Sequence, residues 1–196
     1  MITLRHWFKP SSFTLIEMMA VIAIIAILAG LILWAGTGVM KVGASSRAQT
    51  EIQGMSTGLE GYKVDNGAYP AYDMGSSTNY GNMLDPSVAG GSYQLSSTNL
   101  YQALSGQTNF TDPPGGNKSY FTFKASQVGN PSGGTCTTYV QDPYGFSYGY
   151  NTGGGVNNDV PYNGSGFFDL WSTGGTTAST TANPYPTNSW INNWKN

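Results

Sequence analysis

A long apolar run near the N-terminus constrains this chain more than any other feature. From Met18 to Met40 no residue is charged, and most side chains between Phe13 and Trp34 are apolar. About 20 apolar residues in a helix cross the roughly 30 Å of bilayer hydrocarbon. The run therefore predicts a helix that spans a membrane rather than a helix in the core of a soluble protein.

One carboxylate, Glu17, stands just inside the start of this run. A charged side chain in a membrane segment costs a few kcal/mol near the bilayer centre and less toward an interface. At the start of a helix, however, a negative charge is stabilised by the helix dipole by about 0.3–1 kcal/mol. Glu17 is therefore either a favourable helix-end charge or a group that pairs with a partner, and both can hold.

Residues 1–12 have the character of a leader. They carry two firm positive charges, Arg5 and Lys9, which place this end in the cytoplasm under the positive-inside rule. A secretory signal has its small-residue cleavage site after the apolar core, whereas here the small pair Ser11 and Ser12 precedes it. This order predicts that the leader is removed while the apolar helix stays on the mature chain.

The sequence around this junction carries a resemblance to a known family. Residues 12–29, SFTLIEMMAVIAIIAILA, resemble the N-terminal motif of type IV pilin and pseudopilin precursors. In that family a membrane peptidase cuts before the Phe and methylates the new amino group. The resemblance implies cleavage between Ser12 and Phe13, with Glu17 fifth in the mature chain. The family strongly prefers Gly at the position of Ser12.

The resemblance also implies a partner for Glu17. In a filament of side-by-side helices, a buried carboxylate is tolerable only when it is paired. The amine of Phe13 in a neighbouring subunit, exposed by cleavage and still basic after methylation, is the expected partner. Such a pair rewards correct axial register, because a subunit that docks out of register leaves both charges unpaired.

The helix is predicted to continue past the membrane to about Val64. Arg47 and Glu51 are four residues apart in this part and can form a weak ion pair. Its apolar residues recur at a spacing of three and four, which places them on one face that can pack against a globular domain. These residues are Ile52, Met55, Leu59 and Tyr62.

Several glycines interrupt the helical pattern. Each lowers helix stability by about 1 kcal/mol relative to Ala. The Gly36–Gly43 region is therefore predicted to be a weak point of the helix just beyond the membrane. Alternatively, its glycines permit a neighbouring helix to approach closely, as small residues do in membrane bundles. The glycines are Gly36, Gly38, Gly43, Gly54, Gly58 and Gly61.

Residues 62–70, YKVDNGAYP, are predicted to end the helix. Asn66 and Gly67 tolerate left-handed backbone geometry, and Pro70 prevents the helix from resuming. The string is similar to the helix exit of the major pseudopilins of type II secretion systems.

The remainder of the chain is predicted to be rich in loops and short elements. Residues 71–118 are expected to be mostly loop, with one short helix at about 99–104. Ser97 or Thr98 is the expected cap at the start of that helix, and Gly106 the expected end.

Short strands are predicted from runs of aromatic and β-branched residues. These runs are 120–124, 137–141, 146–150 and 167–172. The segment Asp142–Gly145, DPYG, is typical of a turn. The tail from Gly174 is predicted to be a loop held in place by Trp190 and Trp194.

Together these patterns predict an α+β protein with a pilin-like layout. A long N-terminal helix, membrane-spanning in its first half, is expected to pack on a small antiparallel sheet with long loops. Three segments follow: a cleaved leader at 1–12, the transmembrane or filament-core half of the helix at 13–43, and an extracytoplasmic globular domain at 44–196.

The composition argues against catalysis. Only 9% of the residues are charged, whereas soluble domains carry about a quarter, and no basic face is present for nucleic acid. His6, the single histidine, lies in the leader, so we expect no Ser–His or Cys–His pair in the mature chain. Cys136 is the single cysteine, which excludes an intramolecular disulfide. No catalytic residue and no enzyme activity are expected.

No metal or other cofactor is expected either. The resemblance raises calcium, because major pseudopilins often bind it in the loop after the last strand. Calcium takes about six to eight oxygens, usually with several carboxylates among them, but no Asp or Glu follows Asp169 in this chain. The family's site does not carry over, and Asp159 with Asp169 and loop carbonyls could form only a weak substitute.

The resemblance implies a structural subunit of an extracytoplasmic filament, in particular a type II secretion pseudopilin. The precursor would be a single-pass protein of the bacterial inner membrane with a cytoplasmic N-terminus, and the assembled filament would be periplasmic or extracellular. The implied partners are further copies of the chain, a prepilin peptidase, an inner-membrane assembly platform and a cytoplasmic ATPase.

Two alternatives stay open at this point. One is a type IV pilin that builds a surface fibre for adhesion, motility or DNA uptake, since residues 71–138 match no family segment. The other is a membrane-tethered binding module that does not polymerise.

The cleavage site is directly testable. We expect the mature protein to begin at Phe13 with a methylated amino group, as measured by mass spectrometry of the N-terminal peptide. Replacing Ser12 by the preferred Gly should speed processing or leave it unchanged. A mature chain that begins at Met1, or slower processing of Ser12→Gly, would contradict this site.

Overall fold

The computed structural model describes residues 13–72, 86, 91–113, 115–130, 138–153, 163–176 and 190–194, with only the backbone described for 33–39 and 92. The chain divides into two compact units, Met1–Val42 and Gly43–Asn196. As expected, the architecture is α+β, with a long N-terminal apolar helix and small antiparallel sheets.

Helix α1 covers Leu15–Asn66. It ends close to the predicted position, because Gly67 adopts the left-handed conformation with φ of +79°. The Gly67 N–H donates to the carbonyl of Lys63 at 2.8 Å, and the Asn66 amide donates to the carbonyl of Tyr62 at 2.9 Å. These bonds satisfy carbonyls that the last turn of a helix leaves without partners.

The predicted apolar face of α1 forms one wall of the core of the second unit. Ile52, Met55 and Leu59 are at most 1% exposed, and Ala48 lies on the same face. Tyr62 is half-buried and packs edge-on against Tyr120, with ring centroids 5.3 Å apart. The three-and-four spacing therefore identified the packed face correctly.

Glycines on α1 allow a close approach in this unit. A Cβ built on Gly58 would lie 3.1 Å from a methyl carbon of Leu104 and 3.2 Å from the carbonyl oxygen of Tyr120. One on Gly54 would lie 3.0 Å from the ring of Phe121. Gly54 and Gly58 therefore permit close packing against α1 within the second unit.

Helix α2 covers Ser92–Ser105 and begins well before the predicted 99–104. Ser97 and Thr98, the expected caps, are instead buried inside the helix, and Ser97 donates to the carbonyl of Val140 at 2.6 Å. Tertiary packing thus outweighs the preference of serine for helix ends. The predicted end is confirmed, since Gly106 is left-handed and its N–H donates to the carbonyl of Gln102 at 3.0 Å.

The strands are shorter than predicted and form two antiparallel sheets. The first sheet pairs β1, Val128–Gly129, with β2, Tyr139–Val140. The second has the order β3-β4-β5, with β3 at Gly149–Asn151, β4 at Asp169–Ser172 and β5 at Ile191–Asn192. A short 3-10 turn, Ala125–Gln127, leads into β1.

The predicted strand at 120–124 is wrong. The N–H groups of Tyr120 and Phe121 both donate to the carbonyl of Leu104, at 2.8 and 3.0 Å, so this segment caps the end of α2 instead of joining a sheet. The prediction that the tail after Gly174 is a loop is also incomplete, because it contributes β5. A two-residue strand carries too little pattern to be read from sequence.

Cross-strand pairs of glycine with an aromatic residue define both sheets. Gly149 lies opposite Trp171, and Gly129 lies opposite Tyr139. A Cβ on either glycine would come within 2.3 Å of the facing ring. The aromatic ring thus covers the bare glycine backbone, an arrangement that helps to fix register.

The two tail indoles pack on Trp171, as predicted for the tail. Trp190 stacks on Trp171 with centroids 5.7 Å apart and planes 10° apart, and Trp194 meets it edge-on at 5.6 Å. The Trp171 indole N–H donates to the Tyr93 hydroxyl at 2.6 Å. This cluster attaches β5 to the rest of its sheet.

Gly58 and Gly61 offer a matched pair of substitutions on one helix. Gly58→Ala should lower the free energy of unfolding by about 1 kcal/mol, since overpacking of about 1–3 kcal/mol exceeds the helix gain of about 1 kcal/mol. At Gly61 the new methyl would meet Tyr120 at an ordinary 3.5 Å, so Gly61→Ala should stabilise by up to about 1 kcal/mol. Denaturant unfolding of the fragment 44–196 measures both, and equal effects would contradict the close approach.

Candidate processing and assembly site

A reciprocal hydrogen-bond arrangement opens helix α1. The Thr14 backbone N–H and the Thr14 hydroxyl both donate to Glu17 Oε2 at 2.7 Å. In return, the Glu17 N–H donates to Thr14 Oγ1 at 3.3 Å. This is a capping box, in which a threonine and a glutamate three residues later satisfy each other's backbone donors.

The sequence analysis above did not predict this capping box, although the sequence contains its signature. Thr-x-x-Glu directly before an apolar run is the signature of a capping box. Of the expected site residues, Phe13 and Glu17 are described and stand on either side of Thr14, while Ser12 lies outside the described residues. Glu17 Oε1 takes no part in the box, so capping leaves one carboxylate oxygen for a second partner.

The first half of α1 presents apolar side chains on every side. Between Phe13 and Ile32 its large hydrophobic residues are 46–79% exposed. Within the described residues, the segment Leu15–Ile32 is the one helical stretch long and apolar enough to cross a membrane, with a mean hydropathy of 2.8. A helix that is apolar all round needs lipid or other protein as its surroundings.

Two buried carboxylates connect elements of the second unit. Glu51 is 8% exposed and accepts hydrogen bonds from Arg47 Nε and from the Tyr148 hydroxyl, each at 2.8 Å. Burial, followed by the nearby charge of Glu51, raises the pKa of Tyr148. Glu51 therefore links the half-exposed Arg47 to the buried Tyr148, which joins α1 to the segment before β3.

The second buried carboxylate, Asp142, organises the predicted turn. Its Oδ1 accepts from the N–H groups of Tyr144 and Phe146 at 3.0 and 2.8 Å, and its Oδ2 accepts from the Ser172 hydroxyl at 2.5 Å. Burial raises the pKa of Asp142, and its hydrogen bonds oppose that effect only in part. Gly145 supports the turn with a φ of +90°.

Among the described residues, no group of three or more His, Cys, Asp or Glu side chains is arranged to hold a metal ion. Asp169 is buried in β4, and its Oδ1 accepts from the Asn163 N–H at 3.1 Å. Asp159, the other carboxylate considered for calcium, lies outside the described residues.

Comparison with known proteins bears on the start of the chain. Residues 8–33 match the family model described as the prokaryotic N-terminal methylation motif. The resemblance to the type IV pilin-like family is confirmed. The motif and the exposed apolar helix fit a precursor inserted in the inner membrane.

Two curated relatives extend the match. The chain is 36% identical over 67 residues to the type II secretion system core protein G of Vibrio cholerae and to that of Aeromonas hydrophila. The matched part is 34% of this chain, and 46% and 47% of the two relatives, so the chain spans less than half the length of the relatives it matches. No solved structure matches this chain.

The buried state of Asp142 predicts a pH dependence. Because its folded pKa is raised above the unfolded value of about 3.9, its stabilising contribution is present below that value and is lost as the pH rises through the folded pKa. In Asp142→Asn the side-chain oxygen can still accept from the N–H groups of Tyr144 and Phe146, and the uncharged amide nitrogen can donate to Ser172 Oγ, which reverses that hydrogen bond. The unfolding free energy of this variant, relative to wild type, should therefore rise between about pH 4 and pH 7.

Asp65 provides a control of opposite sign. Its hydrogen bonds from Lys118 and Tyr120 lower the pKa of Asp65, so Asp65→Asn should lose stability relative to wild type as the pH rises toward the unfolded value of about 3.9, and the difference should be constant at higher pH. Both variants are compared with wild type by denaturant unfolding of the fragment 44–196. A relative stability of Asp142→Asn that does not change with pH would contradict the buried-charge account.

Calcium removal gives a further test of the second unit. We expect the fragment 44–196 to unfold at the same temperature with calcium and with a chelator, because β5 is attached by the contacts of Trp190 and Trp194 with Trp171. A midpoint lower by more than about 5 °C on chelation, which corresponds to roughly 1 kcal/mol, would show that a metal site contributes.

Proposed function

We propose that this chain is a structural subunit of an extracytoplasmic helical filament, most specifically a pseudopilin of a type II secretion system. The observation that carries the proposal is the methylation motif at residues 8–33, placed at the start of an apolar helix that is exposed on all sides. The likeness to type II secretion core protein G over 67 residues supports the secretion role.

The proposed mechanism is assembly rather than catalysis. The precursor enters the inner membrane through Leu15–Ile32, and a prepilin peptidase removes residues 1–12 and methylates Phe13. An assembly platform, driven by a cytoplasmic ATPase, then moves the subunit from lipid into a filament of identical copies. Filament growth would act on secreted cargo, and the subunit itself needs no catalytic residue.

Glu17 has a place in this mechanism that the cap geometry supports. Glu17 Oε2 closes the capping box of its own helix. Its Oε1 is left to accept a hydrogen bond from the amine of Phe13 in a neighbouring subunit. In a low-dielectric filament core, that charge pair favours the register in which both groups are satisfied.

The alternative of a surface pilus uses the same N-terminal chemistry. It differs in the partners that the second unit meets, and the likeness to core protein G favours the secretion role. The alternative of a non-polymerising tether predicts that the subunit never leaves the membrane.

Two substitutions at Glu17 separate capping from pairing. Glu17→Gln keeps the capping box, because glutamine also serves at this position, but it removes the charge. If Glu17 pairs with the neighbouring amine, both Glu17→Gln and Glu17→Ala should greatly reduce the yield of sheared filaments counted by electron microscopy.

Membrane insertion provides the control for these variants. Both should insert as precursors and keep a folded second unit, since each change makes the helix less polar. Wild-type filament yield from Glu17→Gln together with reduced yield from Glu17→Ala would assign Glu17 to capping alone.

A further inference from the structure

A pocket rich in side-chain amides lies in the second unit, between the end of α1 and the second half of α2. Its volume is about 520 Å³, within the roughly 300–1,000 Å³ of small-molecule pockets. The groups that it offers to a ligand are two phenol rings and four amides: Tyr62, Tyr120, Asn66, Asn99, Gln102 and Asn117.

Two of the four amides come from α2. Asn99 and Gln102 are three residues apart, which places them on the same face of the helix. Asn99 Oδ1 is buried and has no hydrogen-bond partner among the described residues. A buried acceptor without a partner costs free energy and calls for an explanation. A ligand hydroxyl is the kind of donor that this oxygen lacks.

The other two amides are held by the protein itself. Asn66 Nδ2 donates to the carbonyl of Tyr62 at 2.9 Å and to the Tyr120 hydroxyl at 3.2 Å. Asn117 Nδ2 donates to the carbonyl of Gly106 at 3.3 Å. These bonds use the amide nitrogens, so the oxygen of each amide can still accept a hydrogen bond. Because both amides are oriented before a ligand binds, less conformational entropy is lost on binding.

Tyr62 and Tyr120 add ring surface to the pocket. Both are half-buried, and their rings meet edge-on with centroids 5.3 Å apart and planes 60° apart. The face of an aromatic ring carries partial negative charge. Groups with weakly positive C–H hydrogens therefore pack favourably on such a face.

The charges at this pocket argue against an anionic ligand. Lys118 is the one charged residue among the described lining residues, and its ammonium group donates to Asp65 Oδ2. This hydrogen bond lowers the pKa of Asp65 and raises the pKa of Lys118, so both stay charged at neutral pH and offset each other. A phosphate or a carboxylate would compete with Asp65 for Lys118, whereas a neutral ligand leaves the ion pair intact.

We propose that this pocket binds a neutral saccharide of one or two rings. The hydroxyl groups of a sugar donate to amide oxygens and accept from amide nitrogens, and its C–H groups pack on the tyrosine rings. A saccharide hydroxyl also supplies a donor for Asn99 Oδ1. This binding activity goes beyond the proposed function, and it uses residues of the second unit alone.

Titration calorimetry of the full chain tests the proposal. The protein is held in a detergent that has no sugar headgroup and is titrated with cellobiose, maltose and N,N′-diacetylchitobiose. At least one of them should bind with a Kd of about 1 mM or tighter. The same saccharide should raise the thermal midpoint of the second unit, because a ligand that binds only the folded state stabilises it. Inorganic phosphate should not bind.

Substitutions in α2 and α1 locate the binding site. Gln102→Leu and Asn99→Leu should each weaken saccharide binding about tenfold or more, and neither should lower the thermal midpoint measured without saccharide. Gln53→Leu is the matched control, because Gln53 is exposed on α1 and does not line the pocket. It should bind the saccharide like wild type.

Three results would overturn the saccharide site. They are no binding of any of the three saccharides, binding of phosphate in their place, and affinities of Gln102→Leu and Asn99→Leu equal to that of Gln53→Leu. None of these measurements requires a filament, so a failure here leaves the proposed function untouched.

Discussion

The structure depends on the cost of exposing apolar surface to water. From Phe13 to Ile32 the large side chains of α1 are 46–79% exposed, and burial of such surface is worth roughly 25 cal/mol per Å². Lipid can cover this surface in the precursor, and neighbouring helices can cover it in a filament. Glu17, a carboxylate at the start of this helix, needs hydrogen-bond partners both in lipid and in a filament. Thr14 is one such partner, through the capping box.

In the second unit, apolar side chains are buried against other parts of the same chain. The buried face of α1 packs against α2 and the sheets, and Gly58 allows Leu104 to approach the helix backbone. The strands are only two to four residues long, so few ladder hydrogen bonds hold the sheets. Aromatic rings laid over glycines and the stack on Trp171 supply much of the cross-strand contact instead.

Buried charge in this unit links elements that are distant in sequence. Glu51 joins α1 to Tyr148, and Asp142 joins its turn to Ser172 in β4. Losing one partner would leave a buried group unsatisfied, at a cost of about 1–3 kcal/mol. Phe13 and Glu17, the residues proposed to act in assembly, lie in the first unit, whereas these buried carboxylates lie in the second.

The sequence by itself determined the features that arise from local pattern. Hydropathy marked the apolar helix, the three-and-four spacing marked its buried face, and Asn66-Gly67 marked its end, because each reflects nearby residues alone. The tertiary structure decided the start of α2, the loss of the strand at 120–124 and the presence of β5, because long-range partners determine these. Ser97 is buried within α2, where its hydroxyl donates to the carbonyl of Val140. The N–H groups of Tyr120 and Phe121 donate to the carbonyl of Leu104. These partners are distant in sequence, so no local pattern specifies them.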